Sequence, residues 1–273
     1  MQVYWLEQQA TEVRGENDWL SSAEAARLGC LRIPKRRQDW LLGRWTAKRA
    51  IAAVLGLPSD PSSMAAIEIR AATSGAPEAF VRGHPAPVSI SISHREGHAA
   101  CAVAGAGVAL GFDLEIVELR TEAFVADYFT GQERQTICRA PAGERFRVIA
   151  LLWSAKESVL KALRTGLRMD VRAVAISLGQ HFADTAGGGG IDDWHPLRAC
   201  HPEGEFAGWW QYERDLVRTI ISAPESAPPV ALRSSSARSL CIGLLKDSPS
   251  LRLRAAQVSV QTKDANLEHP GLR

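Results

Sequence analysis

Residues Leu151–Arg164 read LLWSAKESVLKALR. On a helical wheel of about 3.6 residues per turn, Leu152, Val159 and Leu163 share one face, with Val148 beside them. Glu157, Lys161 and Arg164 gather on another face, next to Trp153 and Ser154. The segment is therefore an amphipathic helix around which half of the chain can pack. Glu157 stands one turn before Lys161, the favourable order for a helical ion pair. A solvated, salt-bridged face is the ordinary reading of such charges, which contribute little. What the rest of the chain brings to Glu157 decides whether it does chemistry.

Working outward, the flanking segments alternate between strand and helix patterns. GFDLE lies within a strand over 108–117, and a helix is expected around Glu122–Tyr128. Thr130-Gly-Gln-Glu133 has the form of a capping box at the start of another. VRAVAISLG (171–179) reads as a strand, GGGG at 187–190 as a loop, and EFAGWWQYER with LVRTIISA as a hairpin. Upstream, MQVYWL is strand-like and Ser21-Ser-Ala-Glu24 starts a helix. IPKRRQDW reads as a basic turn before a helix over 39–55. AIEIR, the stretch after SGAP, PVSISISH and HAACAVAG are strands, the last two forming a hairpin. Each half thus offers strands plus one principal helix. The expected class is α+β, two related lobes each with a small antiparallel sheet on a helix. The boundaries expected are 1–105 for the first lobe, 106–230 for the second and 231–273 for a weakly ordered tail, within which LRLRAAQVSV could add a strand.

Composition narrows the function classes. The 273 residues are 46% hydrophobic with a net charge of +2, too balanced for a nucleic-acid protein. The five cysteines contain no C-x-x-C pair, so neither a disulfide framework nor a zinc site is suggested, and a cytoplasmic location is expected. The N-terminus has no apolar signal-peptide core, and no run approaches the ~20 apolar residues of a membrane span. No nucleic-acid or membrane partner is expected.

Three constellations carry chemistry. In the 108–117 strand, Val108, Leu110, Phe112, Leu114 and Ile116 share one face. Asp113 and Glu115 share the other, about 7 Å apart at ~3.3 Å rise per residue, with Gly111 leaving room beside them. Adjacent carboxylates repel, so a positive charge belongs nearby; Mg²⁺ is a natural candidate, although D-x-E equally describes a wet acidic strand face. Glu157 supplies a third acid, and Lys161 a cation for phosphate charge. SISHREG ends a strand on His94, either an exposed turn histidine or a phosphate contact. Lys35, Arg36, Arg37, Arg44 and Lys48 form a basic cluster, either a solubility feature or a phosphate site.

Taken together, these motifs make the chain resemble the 4′-phosphopantetheinyl transferases of the surfactin-synthetase type. That family carries G-[VIF]-D-[IL]-E followed by W-[SA]-x-K-E-[SA]-x-x-K-[AG]; this chain has Gly111-Phe-Asp-Leu-Glu115 and Trp153-Ser-Ala-Lys-Glu-Ser-Val-Leu-Lys-Ala162. Ser91-Ile-Ser-His94, Gly43-Arg44-Trp-Thr-Ala-Lys48 and Phe129-Thr-Gly-Gln-Glu133 resemble further family elements, in the same order. The resemblance implies a pseudo-twofold α+β fold with its active site between the lobes. The implied reaction moves the 4′-phosphopantetheine arm of coenzyme A, a co-substrate, onto a serine of an apo acyl or peptidyl carrier protein and releases adenosine 3′,5′-bisphosphate. Carriers of fatty acid, polyketide and nonribosomal peptide synthases are all possible partners, and a monomer suffices. By the same resemblance Asp113, Glu115 and Glu157 would bind Mg²⁺, Glu157 and Lys161 would be catalytic, and Lys35, Arg36, Arg44, Lys48, Ser93, His94, Lys156 and Lys161 would bind the coenzyme. Some relatives carry a lysine before the proline of the turn matching Gly75-Ala76-Pro77, where this chain has Ala76. The segment Leu119–Phe129 is the expected carrier-facing surface, with Val125, Tyr128 and Phe129 as contacts or, alternatively, as core. Two other classes compete: a homologue that binds coenzyme A or carrier without transfer, and a nucleotidyl-transfer or nuclease enzyme.

Overall fold

The structure is a computed structural model that describes residues 1–178 and 193–232. The glycine run at 187–190 and the tail beyond Leu232, including LRLRAAQVSV, lie outside the described residues.

The chain opens with strand β1 (Tyr4–Gln9), then helices α1 (Ser22–Cys30), α2 (Pro34–Leu55) and α3 (Pro61–Ala65). Strands β2 (Ile67–Ala71), β3 (Pro77–Val81), β4 (His84–Pro85), β5 (Val88–Arg95) and β6 (His98–Gly105) follow. The second half repeats the plan: β7 (Ala109–Ile116), α4 (Glu122–Tyr128), α5 (Gly131–Arg139), α6 (Arg145–Ala162), β8 (Ala175–Leu178), β9 (His195–His201), β10 (Gly204–Glu213), β11 (Leu216–Ala223) and β12 (Val230–Ala231). The basic segment read as a turn is instead the first turns of α2, which begins at Pro34; proline is tolerated there because the first N–H groups of a helix have no intrahelical partner. Val171–Ala173 form a short 3₁₀ turn, so that strand begins only at Ala175.

One sheet runs β12-β1-β6-β5, a second β7-β11-β10-β9-β8, and a third β2-β3-β4. A core centred on α2 gathers Ile51, Met64, Ile67 and Val103. Another around α6 gathers Leu151, Leu152, Val159, Val217 and Ile221. A third, with Val3, Trp5, Ala102, Phe112, Leu114 and Ile220, joins the lobes through the sheet faces turned away from both helices.

The lobes share one internal fastening. In the first, Ser21 caps α1 and Glu24 closes the capping box. Glu24 also accepts from Ile69 N at 3.1 Å and pairs with Lys48 Nζ. Lys48 Nζ in turn donates to the carbonyls of Trp19 and Met64 at 2.9 and 3.0 Å. In the second, Thr130 caps α5 and Glu133 closes the box. Glu133 accepts from Ile176 N at 2.9 Å and pairs with Lys156 Nζ at 2.9 Å, while that lysine donates to the carbonyls of Val171 and Val174. Sequence follows geometry: Trp45-Thr-Ala-Lys48 matches Trp153-Ser-Ala-Lys156, and Asp18-Trp-Leu-Ser21 matches Asp127-Tyr-Phe-Thr130.

Candidate active site

The edge strand of each main sheet meets the other at the lobe junction, β5 against β7. Side-chain hydroxyls bridge them. Ser91 Oγ accepts from Phe112 N at 2.9 Å. Ser93 Oγ accepts from Leu114 N at 3.2 Å and donates to Asp113 Oδ1 at 3.0 Å. Ser93, expected at the coenzyme, is thus committed to joining the lobes.

The register of β7 turns Gly111, Asp113 and Glu115 towards α6. A Cβ on Gly111 would lie 1.7 Å from the Ser158 carbonyl oxygen, so only glycine lets strand and helix approach this closely. α6 is seated on β11 by a buried hydroxyl triangle: Ser154 Oγ and Ser158 Oγ lie 2.9 and 2.8 Å from Thr219 Oγ1. Lys161 Nζ then reaches Asp113 Oδ1 at 2.7 Å and the Phe112 carbonyl at 2.9 Å. Glu157 is half-buried one turn before it. Burial raises the Glu157 carboxyl above its ordinary value, with Asp113 and Glu115 adding to the rise and Lys161 opposing it. Glu115 is raised chiefly by burial as well, with Asp113 adding and the Arg95 and Arg120 guanidinium groups opposing. Asp113 and Glu115 are buried and Glu157 is half-buried, so the acidic face is largely covered rather than wet.

A divalent cation fits this donor set in two respects. The ligand atoms are all oxygens, which hard cations take. Asp113 Oδ2 is buried with no hydrogen-bond partner, an acceptor left over after Lys161 and Ser93 have taken Oδ1. The acids do not converge as a ready-made cage: among the described residues, no group of three His, Cys, Asp or Glu side chains is arranged to hold a metal. Glu115 is instead turned to Arg95 and Arg120, each 3.3 Å from its Oε1.

A cavity of about 280 Å³ opens beside Lys161, lined among others by Ser89, Ser91, Leu110 and Arg164 and by the turn at residues 74–77. At the other end of β5, His94 is exposed by surface area, yet the protein around it lowers its imidazole below the usual value. Burial of the ring is the main cause; Lys161 and Lys35 add to the shift, while Asp39 and Asp113 oppose it.

Residues 109–203 match the family model of the 4′-phosphopantetheinyl transferase superfamily. The match starts at the acid strand and runs through α6 into β9. It supports an α+β phosphopantetheinyl transferase enzyme that moves the phosphopantetheine arm of coenzyme A to carrier proteins. No curated protein matches the chain.

Set beside that activity, the expected site residues divide into two groups. Asp113, Glu115, Glu157, Lys161 and His94 meet at the cleft. Lys35 and Arg36 are exposed at the start of α2, with Lys35 Nζ 3.7 Å from Asp39. Arg44 is mostly buried, its guanidinium 5.0 Å from the Trp40 ring and 3.9 Å from Glu24. Lys48 and Lys156 are not at the cleft: both are fully buried, and their ammonium groups are consumed by the paired fastenings described above. Desolvation lowers both lysines, against the pull of Glu24 and Glu133. Their place in the sequence motifs reflects folding, because a buried ammonium needs a carboxylate and several carbonyls at once. Val125 and Phe129 belong to the core, whereas Leu119 and Tyr128 are exposed at 81% and 37%. Tyr128 packs against Phe124 in a tilted contact and against Trp153 edge-on, with ring centres 4.9 and 5.1 Å apart. Sequence reasoning passed over Arg95, Glu118 and Arg120, although Arg95 directly follows His94 and Arg120 closely follows the acid strand.

Proposed function

We propose that this is a magnesium-dependent, cytoplasmic 4′-phosphopantetheinyl transferase of the surfactin-synthetase type, acting as a monomer on apo acyl or peptidyl carriers. The observation that carries this reading is the Asp113–Lys161–Glu157 constellation, on a strand and a helix locked together at the lobe junction, with Lys161 also lining the adjacent cavity.

In the proposed reaction the carrier serine Oγ bonds to the β-phosphorus of coenzyme A. The bond from that phosphorus to the bridging oxygen breaks, and adenosine 3′,5′-bisphosphate leaves. Asp113, Glu115 and Glu157 would hold Mg²⁺, which when bound supplies charge neutralisation for the pyrophosphate. Glu157 accepts the serine proton, a task suited to a carboxylate whose basicity burial has raised. Lys161, held between Asp113 and the Phe112 carbonyl, presents a fixed cation to the leaving phosphate. Lys35, Arg36, Arg44 and His94 would bind the coenzyme phosphates. Leu119 and Tyr128 offer the exposed apolar surface on which a carrier helix would dock.

The test is intact mass of an apo carrier after incubation with the enzyme and coenzyme A, with Mg²⁺ or with a chelator. The carrier should gain the phosphopantetheine mass with Mg²⁺, lose that gain under chelation, and recover it when Mg²⁺ is returned. Modification that persists in excess chelator would remove the metal from the mechanism. Absence of modification on fatty acid, polyketide and peptide carriers alike would remove the transfer activity.

A further inference from the structure

Glu115 is the acid with the most crowded surroundings. Arg95, at the β5–β6 turn of the first lobe, and Arg120, just after β7 in the second, both reach its Oε1 at 3.3 Å. Both also reach Glu118 Oε1, at the shorter distances of 2.8 and 2.7 Å. Two arginines and two glutamates therefore form a ring across the lobe junction, in which Glu118 is the closer partner of each cation and Glu115 the looser one. Arg120 has a further anchor, since its guanidinium lies 4.8 Å from the centre of the Phe124 ring. Arg95 is less fully held: its Nε is buried without a hydrogen-bond partner. Either arginine can let go of Glu115 and keep its place against Glu118.

We propose that Arg95 and Arg120 are resident counter-cations of Glu115, displaced when a divalent cation takes that carboxylate, and that they thereby set the affinity of the acid site for metal. The proposal rests on the reading that Asp113, Glu115 and Glu157 bind such a cation. It explains why the acids do not form a preassembled cage: Glu115 is satisfied internally until a competitor arrives. Electrostatics favours this arrangement, because a buried carboxylate beside other acids is costly without a positive neighbour. The two arginines act through Glu115 and are positioning residues. Their effect is competition, so removing them frees the ligand, and removing Glu118 turns both cations wholly onto Glu115.

Mn²⁺ binding to the full chain without coenzyme, followed by the electron paramagnetic resonance signal of free Mn²⁺, tests this apart from turnover. Arg95→Ala combined with Arg120→Ala should bind Mn²⁺ about three- to tenfold more tightly than wild type, the range expected for two partly exposed ion pairs. Glu118→Gln should bind more weakly. Arg145→Ala removes an equal charge from the same lobe, but this arginine pairs with Glu122 instead; affinity should stay unchanged. Circular dichroism and the melting temperature of each variant establish that it is folded. If the double variant is destabilised, the single variants should each show part of the tightening. Unchanged or weaker binding in folded arginine variants overturns the proposal while leaving the metal reading intact. Tightening by Arg145→Ala of the same size reduces the effect to general charge and also overturns it. Failure of wild type and every variant to bind Mn²⁺ overturns the metal reading and the proposal together.

Discussion

Lys156 and Lys161 lie little more than one helical turn apart, both within the segment that resembles a transferase motif, and the structure gives them opposite duties. Lys156 is fully buried and saturated by Glu133 and two carbonyls, whereas Lys161 is partly exposed and points at Asp113. Truncating one member of a buried pair costs about 3–5 kcal/mol, because the other charge is left uncompensated. Lys156→Ala should therefore lower unfolding free energy by roughly that amount in denaturant titrations. Lys161→Ala should cost less than that, because the lysine is partly exposed and Ser93 still holds Asp113, while removing most turnover. A stable Lys156→Ala protein with raised KM for coenzyme A would return that lysine to the cleft. The sequence could not separate the two lysines, since helical spacing reports which face a residue occupies and not what covers that face. The acids are visible in the sequence as D-x-E on a strand and a further acid on a helix, but it is the family resemblance that joins them into one expected site. Arg95 and Arg120 are not legible there, because their meaning depends on two turns brought together across the lobe junction.

At the scale of elements, the pairing of β7 with α6 sets the geometry of the site. Gly111 permits the approach, and Ser154, Ser158 and Thr219 fix the helix to β11. Gly111→Ala would drive a methyl group into the Ser158 carbonyl, a contact that only backbone movement can relieve. The expected result is loss of several kcal/mol or failure to fold, and, in any folded fraction, loss of transfer because Asp113 and Lys161 separate. A Gly111→Ala protein with wild-type melting temperature and turnover would contradict the close packing. Most elements are readable from periodicity: the 108–117 strand, the helix start at Ser21, the capping box at Thr130, and both hairpins appear where alternation and cap residues place them. Misreadings have physical causes. Lys35–Arg37 looked like a turn because a proline and adjacent charges usually mark one, yet they extend α2. β9 and β12 carry weak alternation, and β12 is a two-residue strand held by its pairing with β1.

For the molecule as a whole, the two lobes share a frame but not a site. Counted from the hairpin turns, Gln8 lies opposite the second residue of β6 and Glu115 opposite the second of β11. Gln8 and Leu6 thus stand in the first lobe where Glu115 and Asp113 stand in the second. On the principal helices, Arg49 follows Lys48 where Glu157 follows Lys156. The first lobe keeps the fastening and lacks the acids. What it contributes at the lobe junction is the β5 edge, with Ser91, Ser93 and His94. The expectation of related halves comes from the order of elements alone; the matching Trp-Thr-Ala-Lys and Trp-Ser-Ala-Lys segments acquire meaning only from the shared duty of Lys48 and Lys156. Glu157 is where the shared frame and the proposed chemistry part company, so the most direct measurement is single-turnover transfer by Glu157→Gln. With coenzyme A, Mg²⁺ and an apo carrier, followed by intact mass, the variant should retain native circular dichroism and lose transfer by at least about a hundredfold, the usual scale for removing a general base. Near-wild-type transfer by a folded Glu157→Gln protein would contradict the assignment and make Glu157 a solvated partner of Lys161.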